Sequence, residues 1–77
     1  MIKEHWRSVR KGDQTYYQGW VSIHENERRL YNVNGLPQLR LCVIDAMRDA
    51  AQLAEEIDPS IVHNADLTRQ VVHHEHL

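Results

Sequence analysis

Seventy-seven residues, 42% of them hydrophobic and none of them Phe, set the scale of one small domain with a thin core. The single cysteine excludes an intrachain disulfide and a zinc site of paired cysteines, and no apolar run approaches the ~20 residues of a membrane span. The net charge of −2 argues against a generic polyanion binder, yet it is unevenly spread: residues 1–40 hold seven Lys or Arg against four acidic residues, a net +3, while residues 41–77 hold two against seven, a net −5.

The polar, charged start has no signal-peptide pattern, so the expected location is cytoplasmic. A core of this size rarely supplies more than ~3–5 kcal/mol, which makes a homodimer or a bound partner an expectation.

In chain order, Glu4 to Arg10 alternates as a short strand, with Trp6, Ser8 and Arg10 on one face and His5, Arg7 and Val9 on the other. Lys11-Gly12-Asp13-Gln14 is a turn, since Gly12 accepts a positive φ and Asp13 bonds local backbone. From Thr15 to Ile23 a period of two sends Tyr17, Val21 and Ile23 inward and Tyr16, Gln18 and Trp20 outward, with Gly19 marking a bulge or a close backbone approach. His24-Glu25-Asn26-Glu27 is a hairpin loop, and a return strand runs from Arg28 to Val33 before Asn34-Gly35 breaks it.

Pro37 suits the first position of a helix, where its missing N–H has no partner in any case. Leu39, Val43, Ala46, Met47, Ala50, Leu53, Ala54 and Ile57 then recur at helical spacing, and Asp58-Pro59 stops them. A strand over 39–44, with Asp45 capping a shorter helix, fits the same residues; the long stripe favours the helix. Leu41 and Ile44 form a second apolar line, placed either under the first strand or against another molecule. These elements make an α+β domain over residues 1–58, a two- to three-stranded antiparallel sheet packed on one long helix. Residues 59–77 form an irregular or marginally helical extension.

Chemistry-bearing groups are sparse. His73 and His76, with Glu75 and His63 nearby, offer metal ligands but no scaffold to fix them, so no physiological metal site is expected. Ser8, Ser22, Ser60 and Cys42 have no motif that sets a base beside them, and no Gly-rich phosphate loop is present. The expectation is a protein without catalysis or cofactor. What remains is a hairpin carrying Gln18 and Trp20, with Arg7, Arg10, Lys11, Arg28 and Arg29 around it. Cations for phosphates and flat or bidentate groups for bases are the needs of nucleic-acid binding. Tyr and Trp beside Arg also suit a protein interface, with Tyr16, Leu41 and Ile44 as its candidates.

Trp6-Arg7-Ser8-Val9-Arg10, then Trp20-Val21, Arg28-Arg29 and an Ala-rich helix, resemble the three-stranded DNA-binding domains of plant ethylene-response factors. The same order of elements is similar to the arm-site-binding domains of phage tyrosine integrases. The resemblance covers about residues 5–57 and implies a sheet lying in the major groove, with Arg7, Arg10, Trp20, Arg28 and Arg29 in contact. It differs where Leu30-Tyr31-Asn32 replaces the plant family's Trp-Leu-Gly. DNA binding is thus the leading expectation. The alternative is a phage or mobile-element interaction module that regulates a host protein, or its own dimer mate, without touching nucleic acid.

Overall fold

Two residues of turn fix the register of the whole sheet. Gly12 takes a φ of +61° and Asp13 does not follow it into positive φ, the pattern of a type II′ turn, whose twist matches the strands it joins. Lys11 therefore faces Gln14, and the pairing runs unbroken to Ile2 facing Ile23, joining β1 (Ile2–Lys11) to β2 (Gln14–Ile23). The computed structural model describes residues 1–61; the histidine-rich end and all but the first residues of the 59–77 extension lie outside them.

A three-residue turn, with His24 left-handed at φ 59°, leads into β3 (Glu27–Leu30), which pairs antiparallel with the end of β2. The sheet order is β1-β2-β3. The expected return strand to Val33 stops short. At Tyr31 the chain leaves the sheet and makes a second, two-stranded ribbon, β4 (Asn32–Val33) and β5 (Leu36–Pro37). Asn34 and Gly35, at φ 54° and 78°, are the paired left-handed residues of a type I′ turn. Gln38 N closes the ribbon on Tyr31 O at 3.2 Å, and Arg40 then rejoins β2 by two backbone bonds with Tyr17, at 2.7 and 2.8 Å.

The helix α1 (Val43–Ile57) begins later than its periodicity suggests. Pro37 sits in the ribbon opposite Asn32 rather than at a helix start. Of the segment 39–44, only Arg40 makes a strand-like bridge. Cys42 is the N-cap, extended and without a side-chain bond to the helix, and Asp45 lies in the first turn, where the helix dipole favours it. The reason for the shift is local: Asn34-Gly35 nucleates a hairpin, and the backbone bonds of Arg40 to Tyr17 then hold that stretch extended.

The helix packs on the Gly19–Val21 side of the sheet. Ala46, Ala50 and Ala54 recur every four residues and are fully buried, as is Val21. Ile2, Ile23, Leu53, Ile57 and Ile61 complete the cluster. The approach is so close that a Cβ on Gly19 would lie 2.6 Å from Ala50 N and closer still to Ala46 O. Arg40 clasps the helix from the side, its Nε and NH2 groups donating to both carboxylate oxygens of buried Asp49 at 2.7 and 2.9 Å. That hydrogen-bonded carboxylate raises the guanidinium pKa above its ordinary value.

Candidate nucleic-acid interface

Residues directly opposite one another on paired strands share a face. With Lys11 opposite Gln14, odd residues of β1 stand with even residues of β2, and Ser22 opposite Arg28 extends the same face onto β3. The face away from the helix therefore carries Lys3, His5, Arg7, Val9 and Lys11 from β1. To these it adds Gln14, Tyr16, Gln18, Trp20 and Ser22 from β2, and Arg28 and Leu30 from β3. Among these are four permanent cations and no carboxylate. Lys3 and Lys11 form no ion pair among the described residues.

Trp20 is the centre of one end of this face. The His5 ring stacks on it with centroids 4.1 Å apart and planes 19° from parallel, and the Arg28 guanidinium carbon lies 5.3 Å from its centroid. His5 Nε2 is in turn hydrogen-bonded to Ser22 Oγ at 3.0 Å. A shallow open depression beside this stack is lined by Met1, Lys3, His5, Trp20, Ser22, His24, Glu25 and Arg28. Contacts from His5 and Arg28 leave the half-buried indole little flat surface to offer a base, while the cations around it stay accessible.

Gln18 departs from its expected exposure. It is 0% exposed, its Oε1 accepting from Arg7 Nε at 2.9 Å and its Nε2 donating to Tyr31 O at 2.8 Å and Asn32 Oδ1 at 3.1 Å. The base of the β4–β5 ribbon covers it, so its amide ties strand, ribbon and Arg7 together and is not free to read a base edge. Period two correctly assigned its face; nothing in the period announced the ribbon.

The remaining candidates divide between two sides of the sheet. Arg7, Lys11, Trp20 and Arg28 share the open face. Arg10 and Arg29 lie on the helix side, where Arg10 Nε donates to Gly12 O at 3.3 Å and Arg29 pairs with Glu27 at 3.3 Å. Adjacent arginines on a strand must point apart, so Arg28 and Arg29 were never one patch. Tyr16 is half-buried on the open face. Leu41 is 71% exposed just before the helix, and Ile44 is half-buried in its first turn. Lys3 and His5, not among the expected contacts, belong to the open face, and the signal was available: Lys3, Arg7 and Lys11 are spaced by four, an even number.

No family model, curated protein or solved structure matches this chain.

The geometry of the described residues is therefore the ground for a functional reading. No group of three or more His, Cys, Asp or Glu among them is placed to hold a metal ion, and no helix among them is long and apolar enough to cross a membrane.

Proposed function

We propose that the chain binds duplex DNA through the open face of its sheet, chiefly by phosphate contacts. The observation that carries this reading is the concentration of Lys3, Arg7, Lys11 and Arg28 on a face whose strands present no carboxylate. Four-residue spacing along β1 sets its three cations ~13 Å apart, and three strands make a face ~10 Å across, narrow enough for the ~12 Å major groove. Because His5 and Arg28 flank the Trp20 ring and Gln18 is fully engaged, base readout is a minor contributor and sequence preference is weak. Arg10 and Arg29 take no part.

The test is fluorescence anisotropy with a labelled mixed-sequence duplex across a salt series. Four neutralised phosphates give a slope of log affinity on log salt of about −3.6, a loss of roughly 100-fold between 50 and 200 mM. Absence of binding at the lowest salt, or a slope near zero, would overturn the reading.

A further inference from the structure

Gln18 is the largest side chain among the described residues that is fully shielded from solvent, and it is polar. A buried amide is costly unless each of its groups is bonded. Here Nε2 donates to Tyr31 O and to Asn32 Oδ1, so Oε1 must face Arg7. The reversed amide would set an oxygen against two acceptors and an N–H against the Arg7 N–H. Tyr31 O also accepts from Gln38 N, the bond that closes the β4–β5 ribbon. Ribbon and amide therefore share one carbonyl, and the amide passes the ribbon's position on to β1.

At the far end of these bonds stands Arg7, directly opposite Gln18 in the sheet register and itself exposed. The bond to Gln18 uses its Nε–H alone, at 2.9 Å. A guanidinium is planar, so fixing Nε–H fixes the direction of the whole group, and Nη1 and Nη2 beyond it form a fork that matches paired oxygens. The other cations of the open face are held differently. Lys3 and Lys11 make no ion pair among the described residues, and Arg28 rests on the face of the Trp20 ring. Arg7 is the cation of this face whose head group is tied to a buried amide.

We infer that Gln18 is a positioning residue for the DNA contact: through it the ribbon presents Arg7 as a preset fork for the paired oxygens of one backbone phosphate. This rests on the DNA reading above. Holding the head group before DNA arrives removes part of the side-chain ordering that binding otherwise demands. A bidentate fork also has a direction, which the ammonium of a lysine, a point charge, lacks. Charge and position are thereby separable at this site. Lysine at position 7 keeps the charge and loses the anchored fork, while a change at Gln18 keeps the arginine and loses only its anchor.

A double-mutant cycle on affinity for the mixed-sequence duplex tests it, using the full chain. Arg7→Lys and Gln18→Met should each weaken binding about fivefold with the salt slope unchanged, because no charge is lost. The double variant should lose no more than either single one; an additive loss of roughly 25-fold would overturn the coupling. Lys11→Arg should change affinity less than about twofold, and a gain as large as the Arg7→Lys loss would show a general preference for arginine instead. If Gln18→Met fails to fold, Asn32→Ala takes its place. Asn32 is exposed on the ribbon and holds one donor of the amide, so its loss should weaken binding about threefold beside Arg7 and not at all beside Lys at position 7. A readout without DNA is the NMR signal of Arg7 Nε–H, which should be protected from exchange in the wild type and lose that protection in the Gln18 or Asn32 variant. An unprotected wild-type signal, or a neutral Arg7→Lys in a chain that binds DNA with the expected slope, would overturn this inference alone. Absence of wild-type binding would overturn the DNA reading and this inference with it.

Discussion

The two faces of β2 solve opposite problems with neighbouring residues. On one, Gly19 and Val21 meet the helix so closely that a backbone carbonyl and amide occupy the space of a side chain. On the other, Gln18, one residue away, is equally inaccessible but is satisfied entirely by hydrogen bonds to Arg7, Tyr31 and Asn32. The first face depends on the absence of atoms, the second on the presence of particular ones. Burial alone does not distinguish them; substitution does.

The largest effect should come from Gly19→Ala. Its methyl would press against the helix backbone, which has no flexible end to yield, so the helix must lift from the sheet. The expected loss is ~3 kcal/mol or more, enough to unfold a domain of this size, read as a collapsed midpoint in urea. On the other face, Gln18→Ala removes one of the two donors to the Tyr31 carbonyl, the donor to Asn32 Oδ1 and the acceptor of Arg7 Nε, and should cost about 2 kcal/mol by the same measurement. A loss as large as that of Gly19→Ala would mean the amide supports more than the ribbon. Arg7→Ala against Arg10→Ala compares the faces functionally. The first should weaken DNA binding about tenfold at low salt and flatten the salt slope by about one, the second less than twofold. Equal effects would dissolve the distinction between the open face and the helix side.

The smallest effect concerns the turn that seats Ile61 on the helix-side core. Ser60 donates to Asp58 through its hydroxyl at 2.6 Å and its backbone N–H at 3.1 Å, and these bonds hold the Asp58 carboxyl below its ordinary pKa. A depressed carboxylate contributes stability that is full above its ordinary value, 3.8, and is lost as pH falls through the lower folded value. Ser60→Ala should therefore lower stability slightly at neutral pH and flatten the acid limb, so that variant and wild type converge at low pH. An unchanged acid limb would remove the turn from the account.

Much of this arrangement was legible from alternation and helical spacing. Tyr17, Val21 and Ile23 were placed inward, and Ala46, Ala50, Leu53, Ala54 and Ile57 were placed on one stripe, because both patterns express burial directly. What stayed hidden were consequences of register and of insertion. Alternation already separated Arg7 from Arg10, but matching β1's faces to β2's requires the two-residue turn that opposes Lys11 to Gln14. Only that step separates Arg10 and Arg29 from the cations of the open face. The ribbon could not be read from Leu30 to Pro37 by period, since strands of two residues have none. Its one clear mark is Asn34-Gly35, which signals a hairpin turn as well as a strand break. The late helix start is hidden for the same reason, because Pro37 fits a ribbon end and a helix start equally well.

The nearest-neighbour strand order has a kinetic consequence. Each pairing in β1-β2-β3 and in the ribbon closes a turn of only two or three residues, a process of microseconds that needs little chain entropy. The distant closures are the return of Arg40 to Tyr17 and the seating of α1 against Gly19. Topology alone predicts fast zipping of the hairpins and a slower docking of the helix, with the long β1 edge formed before the helix arrives.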